Sequence, residues 1–335
     1  MLLLDIPAIQ LIIKKLTLNT FYLDLIKQLE LDFKDWHQFH KSPRHAIHYN
    51  HGVIELMPCS DENLYSFKFV NGHPENTKEN KLSVTAIGLL AEVKDGYPIM
   101  ISEMTLLTAI RTAAVAALGA KYLARENSKT LAIIGTGAQS EFQAMAIKSI
   151  YPIEEIYIYD KDNNAMDKFI KNLSRNFSHI HNCDNVKQAV ANADIIITAT
   201  ASVKNACLFE ASDIRPGTHI HAMGGDSPGK TELPESILKQ SKLIVEYTEQ
   251  SLKEGEIQQL DASHIDAELW EVITENKLAR NNGKEITIFD SVGFAIEDLS
   301  TLKMVYKLAK KFNIGESVKL IPELDNPKNL YDLIK

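Results

Sequence analysis

The stretch Thr130-Leu-Ala-Ile-Ile-Gly-Thr-Gly-Ala-Gln-Ser140 decides the fold. Its first five residues form a short apolar run suited to a buried strand, and the glycines that follow predict a tight turn. Glu141 to Ile150 then carries apolar residues at helical spacing. Strand, glycine turn and helix in this order suit a dinucleotide phosphate. Gly135 permits the sharp turn, Gly137 lets the backbone approach a pyrophosphate, and the helix N-terminus offers free N–H groups to negative charge. Ser140 departs from the usual Gly or Ala, and the motif alone also describes an ordinary strand-to-helix turn. Context strengthens the ligand reading, because Asp160 closes the next strand, Glu155 to Tyr159, about 20 residues on, where an acid meets ribose hydroxyls. That carboxylate favours NAD over NADP by repelling a 2′-phosphate. Lys161 weakens the preference, and an aspartate there also suits a turn before Asp162-Asn163-Asn164.

Working outward, further strands are predicted at Ile195 to Thr200, His219 to Met223, Leu243 to Glu246 and Ile286 to Asp290. Strands alternating with helices at this spacing imply an α/β fold, a Rossmann-type doubly wound parallel sheet. Upstream, a long helix is expected to start near Ser102, capped by its hydroxyl, and to run through the alanine-rich Leu106 to Ala124 with Arg111 near its start. From Arg44 to Met100 the pattern changes to short apolar segments: His45 to Tyr49, Val53 to Met57, Tyr65 to Val70, Leu82 to Val93 and Pro98 to Ile101. These read as an antiparallel or mixed sheet with turns at Asn50-His51-Gly52 and Asp95-Gly96. Residues 1–40 read as helical, with Phe21, Leu25, Ile26, Leu29 and Phe33 on one face.

A chain of 335 residues with 45% hydrophobic and 24% charged residues suits two folded domains. Its net charge of −8, with no basic stripe, argues against nucleic acid as a partner. No run of about 18 apolar residues is present, so no membrane partner is expected. Cys59, Cys183 and Cys207 are odd in number and widely spaced, which supports neither a disulfide framework nor a metal site and makes a reducing cytoplasm the expected location. The apolar opening Met1 to Ile6 lacks a basic start and a cleavage site, and is read as part of the fold.

Two sets of residues beyond the glycine turn could carry chemistry. Gly224-Gly-Asp-Ser-Pro-Gly-Lys230 follows a predicted strand, and ligands of open α/β sheets bind beyond the carboxyl ends of strands. Asp226 there could serve as an acid/base, although an aspartate in a Gly/Pro loop is more often a turn residue. Arg44, Lys68 and Arg111 lie on or near predicted strands and helices. Arginine can grip a carboxylate through two parallel hydrogen bonds and lysine can add a point charge, although surface solvation or ion pairing would also account for each.

With these residues in view, the chain resembles the ornithine cyclodeaminase and mu-crystallin family. The resemblance rests on Phe67–Pro74, Ser102–Thr112, Gly135–Gln143, Gly224–Leu233, Glu254–Leu260 and Phe289–Asp298, in order along the chain. It implies conversion of L-ornithine to L-proline and ammonia by internal hydride transfer to and from bound NAD, with Asp226 as general acid/base. Arg44 and Lys68 match residues that hold the substrate carboxylate, Arg111 one between that carboxylate and the cofactor phosphates, and Val292 one beside the substrate. Glu55 is a candidate for the substrate amines. Ser83, Gly135, Gly137, Ala138, Gln139, Asp160, Thr200, His221, Ala222, Met223, Lys230 and Ser291 match the cofactor site. Ser83 and Ser227 depart from the Thr and Cys common in the ornithine enzymes, which leaves substrate choice open. The resemblance further implies an α+β substrate-binding and dimerisation domain of residues 1–112 with 306–335, a dinucleotide domain of residues 113–305, and a homodimer. A ketimine reductase, an amino-acid dehydrogenase or a mu-crystallin-like binding protein of the same family are the alternatives.

Overall fold

Two eight-stranded sheets carry the computed structural model, which describes residues 1–201 and 206–335. The first contains Leu2–Leu4 (β1), His40–Lys41 (β2), His45–Tyr49 (β3), Gly52–Ser60 (β4), Leu64–Gly72 (β5), Val84–Glu92 (β6) and Pro98–Glu103 (β7), with Glu316–Ser317 returning at the far end of the chain. The second contains Thr130–Ile134 (β8), Glu155–Tyr159 (β9), His179–Asn182 (β10), Ile195–Thr198 (β11), His219–Ala222 (β12), Lys242–Val245 (β13), Ala267–Glu268 (β14) and Thr287–Asp290 (β15); the returning Glu316–Ser317 is β16. The helices are Ile6–Leu16 (α1), Leu18–Lys34 (α2), Thr105–Leu123 (α3), Ser140–Ile150 (α4), Asn163–Leu173 (α5), Val186–Val190 (α6), Glu235–Gln240 (α7), Thr248–Glu254 (α8), Leu269–Ile273 (α9) and Ala295–Phe312 (α10).

The first sheet runs β16-β1-β7-β6-β5-β4-β2 with β3 also on β4, and is antiparallel except for the β1–β7 pair. One of its faces is covered, so side chains alternate. Ser66, Lys68 and Val70 are buried on β5, as are Glu55, Met57 and Cys59 on β4, while Leu56, Tyr65 and Phe69 face outward. The second sheet is entirely parallel in the order β10-β9-β8-β11-β12-β15-β13-β14. Strands β8 and β11 are nearly continuous apolar runs, as burial on both faces demands, whereas β12 and β15 also bury His219, His221, Thr287 and Asp290. Strand order reverses direction between β8 and β11, and the glycine turn after β8 lies at that switch point.

The local reading of the sequence needs four amendments. Residues 2–4 are a strand, not helix, because they pair with both β7 and β16. α3 begins at Thr105, and its N-terminal N–H groups are met by Glu103, whose Oε1 accepts from Leu106 N at 2.6 Å; Ser102 lies inside β7 with its hydroxyl on the Glu103 carbonyl. The short strands β10, β14 and β16 carry too few apolar residues to show in the pattern. Both expected domain boundaries, 112/113 and 305/306, fall inside continuous helices. α10 packs on β4, β5 and β6, so the chain returns to the first sheet from Ala295 onward.

α3 has the length and apolarity of a membrane span, but it is buried between the two sheets on nearly every side. Its alanines and Gly119 allow that approach. A Cβ on Gly119 would stand 2.4 Å from Cδ1 of Phe289 on β15. Gly119→Val should therefore cost about 2 kcal/mol or more through overpacking, measured as a lowered denaturant midpoint with an unchanged slope.

Candidate functional site

The glycine turn has the shape that a phosphate needs. Gly135 has φ +97°, a left-handed conformation, and a Cβ there would stand 2.5 Å from the Ala199 carbonyl oxygen. Gly137, by contrast, has open space where its Cβ would be, and the N-terminus of α4 has no side-chain cap. The Gln139 Oε1 is buried without a hydrogen-bond partner among the described residues. Ser140 fits because its small side chain is buried and its hydroxyl donates to Gly137 O at 2.8 Å. Asp160, at the end of β9, accepts from Thr136 N at 2.6 Å, which ties the turn to a cavity of about 390 Å³ lined by Tyr159, Asp160, Lys161, Asn163, Met166, Asn182, Cys183 and Asp184. These features fit a dinucleotide: a bare helix end for the pyrophosphate and a polar hollow one strand away for the nucleoside.

The loop after β12 carries Asp226, which is half-exposed and pairs with Lys230 at 3.0 Å. Its glycines are required by what lies beneath. A Cβ on Gly224 would fall 2.0 Å from the Glu232 carboxyl group, and one on Gly225 2.5 Å from Glu256 Oε1. Close backbone approach here makes room for two buried acids. Gln258 staples the same loop, accepting from Gly229 N at 2.6 Å and donating to Lys230 O at 3.0 Å.

Arg44, Lys68 and Arg111 are brought together in one buried cluster. Lys68 Nζ lies 2.9 Å from Asp298 Oδ1, and Arg111 reaches Glu297 at 2.7 Å and Asp298 at 3.1 Å. Arg44 bonds Glu55 through Nη1 at 3.2 and 3.3 Å, Gly293 O through Nη2 at 2.7 Å, and also the Val292 carbonyl; Glu254 Oε2 stands 3.2 Å from its Nε. Gly293, at φ +82°, leaves room for Arg111, whose Nη1 would be 2.7 Å from an added Cβ. Burial opposes the charge on Arg44, but Glu55, Glu254 and more distantly Asp226 hold it protonated. Lys68 is drawn down to about 8, by burial first and by Arg111 second, with Asp298 opposing.

Beneath the strand ends runs a chain of buried acids. Thr200 donates to Glu232, Glu256 accepts the N–H groups of Glu232 and Leu233 at 2.8 and 3.0 Å, and Asp290 accepts those of Glu256 and Ile257 at 2.9 and 3.0 Å. Glu246 takes the Ser291 hydroxyl and the N–H groups of Val292 and Gly293. Glu297 lies beside Glu246, and burial with that neighbour pushes its carboxyl well above the ordinary range. Burial likewise raises Glu256 to about 8 and Asp290 to about 7.

The structure gathers Arg44, Glu55, Lys68, Arg111 and Val292 in the cluster, with Ser291 next to it. Gly135, Gly137, Ala138, Gln139 and Asp160 form the glycine corner; Thr200, Met223, Asp226 and Lys230 follow the ends of β11 and β12. It does not bring His221 and Ala222 there by their side chains. Both are fully buried within β12, His221 5.4 Å from the Phe289 ring, because a central strand turns its side chains into the two covering layers. Ser83 precedes β6, its carbonyl accepting from His73 N at 2.7 Å, and no described contact joins it to the cluster. Glu246, Glu254, Glu256, Gln258, Asp290, Glu297 and Asp298 were not anticipated. The available signal was acids in apolar company, as in Leu243-Ile-Val-Glu246 and Phe294-Ala-Ile-Glu-Asp298. Among the described residues no group of His, Cys, Asp or Glu is placed to hold a metal ion.

Residues 9–313 match the model of the Ornithine cyclodeaminase/mu-crystallin family. An ornithine cyclodeaminase of Agrobacterium tumefaciens (strain Ach5) is 47% identical over 323 residues, covering 96% of this chain and 91% of that protein. Among solved structures, the Δ1-pyrroline-2-carboxylate reductase of Thermococcus litoralis, in complex with NADH and L-proline, superposes with a TM-score of 0.87 at 32% identity, covering 95% of this chain and all of that one. A lysine cyclodeaminase studied for its recognition of L-lysine, L-ornithine and L-2,4-diaminobutyric acid gives 0.93 at 25% identity over 98% of each chain.

If Glu297 holds a proton, an amide can replace it. Glu297→Gln should stay within about 1 kcal/mol of the parent at neutral pH, whereas Glu297→Ala, which strips Arg111 of a buried partner, should lose about 3 kcal/mol or more in urea unfolding.

Proposed function

The chain belongs to the ornithine cyclodeaminase/mu-crystallin family, and on that premise we propose that it converts L-ornithine to L-proline and ammonia, with NAD as a bound catalyst. The reading rests above all on the convergence of Arg44, Lys68 and Arg111 in one buried cluster whose field includes Asp226. Three cations from separate elements at the end of a parallel sheet suit a small carboxylate. Arg44 and Lys68 would grip it, the lysine being charged below about pH 8. Arg111 joins this grip to the cofactor side, and the Val292 backbone fixes Arg44 in place.

NAD would be held by Gly135, Gly137, Ala138 and Gln139 at the helix end, by Asp160 at the ribose, and by Thr200, Met223, Lys230 and Ser291 along the strand ends. When bound, NAD would supply a reversible acceptor for the hydride of the substrate α-carbon. Asp226 moves protons at the substrate amines; its half-exposed carboxylate has access to water and a lysine partner that keeps it in reach. The protein thus supplies orientation and charge for a cyclisation with no net redox change.

The first sheet with α10 would form the substrate side and the second the cofactor side. Ile47, Leu56, Tyr65, Phe69 and Ile87 are all exposed on the first sheet, and this apolar face would join two copies as a homodimer. Three unpaired cysteines fit a cytoplasmic location. A net reductase, like the T. litoralis relative, is the competing reading; it would consume NADH and leave oxidised cofactor in proportion to product.

Asp226→Asn should keep NAD binding while losing about two to four decades of ornithine turnover, followed as ammonia and proline together with the absorbance of reduced cofactor. The double variant Leu56→Lys with Phe69→Lys should shift the sedimentation coefficient from dimer to monomer; an unshifted dimer would place the interface elsewhere.

A further inference from the structure

We infer that Glu254 selects substrates with a side-chain ammonium group, an inference that deepens the reading above and rests on it. Glu55 was the expected partner for the amines, but both of its carboxylate oxygens already face Arg44 Nη1, at 3.2 and 3.3 Å. Glu254 is differently placed. It is 7% exposed, and its Oε2 has no hydrogen bond among the described residues although Arg44 Nε is 3.2 Å away. A buried carboxylate oxygen without a donor is costly, and a ligand N–H is the group that would relieve it.

The charges point the same way. Asp226 is paired with Lys230, while one guanidinium faces both Glu55 and Glu254, so one carboxylate of that pair is left over. A diamino acid carries two ammonium groups beside its carboxylate. With Asp226 serving the α-amine, Glu254 remains for the second. Burial first, then the repulsion of Glu55 and Asp226, raise the Glu254 carboxyl against the pull of Arg44, which it shares with Glu55. Nor can the residue easily turn away. α8 is docked on the cluster by Gln250, which accepts from Arg44 N at 3.2 Å and donates to Gly293 O at 2.9 Å, and the next residue, Gly255, has its missing Cβ 2.4 Å from Asp290.

The test uses the full chain loaded with NADH, which binds amino acids without starting turnover, and measures calorimetric dissociation constants for L-ornithine and for L-norvaline, the same carbon chain without the terminal amine. The parent should prefer ornithine. Glu254→Gln should weaken ornithine about tenfold or more and norvaline less than about twofold, while Glu254→Asp keeps part of the preference. Retained NADH affinity controls for folding. Equal losses for both amino acids would make Glu254 a support for Arg44 and overturn the inference, as would unchanged ornithine affinity. A parent that binds norvaline as tightly as ornithine would overturn this inference alone; one that binds neither would overturn the proposed function with it.

Discussion

Burying three cations is tolerable only if carboxylates meet them, and this constraint organises the molecule. Arg44 and Lys68 come from the first sheet and its approach, Arg111 from α3, and four of the acids that answer them, Glu254, Asp298, Glu297 and Glu246, from the last third of the chain. Removing a charged partner such as Asp298 would leave a cation in a medium that cannot solvate it, at a cost of about 3–5 kcal/mol. The pairs therefore fix how the first sheet, α3 and α10 meet the second sheet. Apolar packing of α3 would allow sliding; point charges with hydrogen-bond geometry do not.

The same acids shape the loops that face a ligand. Glu246 clamps Ser291 to Gly293 so that two carbonyls point at Arg44. Glu232 and Glu256 lie so close under Gly224 and Gly225 that any side chain there would displace them. Asp226 thus stands on a loop laid over buried carboxyl groups and stapled by Gln258. Charges of both signs at short range order one another through mutual pairing before a ligand arrives, which would suit the proposed diamino-acid substrate.

The parts of this arrangement visible in the sequence are those encoded locally. β8, the glycine turn and α4 could be read because an apolar run, two glycines and a helical period are contiguous, and Asp160 followed from spacing alone. Lys68 could be placed on a predicted strand, but its burial could not be read there, because its partner Asp298 lies 230 residues away and nothing local connects them. Glu254 and Glu297 lie inside stretches that carried the family resemblance, but their burial depends on contacts made by the fold and is not written locally. The assignment of Ser102 as a helix cap failed because Glu103 competes for the same N–H groups and reaches them first. His221 carried a resemblance to a cofactor position, yet its strand is covered on both faces.

In the proposed function this cluster supports a cyclisation in which the α-hydrogen leaves and returns within one turnover. L-ornithine deuterated at the α-carbon, incubated with the protein and unlabelled NAD, tests it most directly by mass spectrometry of the product. The account requires proline that retains deuterium at its α-carbon, formed one for one with ammonia and without build-up of NADH. Deuterium accumulating in reduced cofactor, with no labelled proline, would show a net dehydrogenase and contradict it.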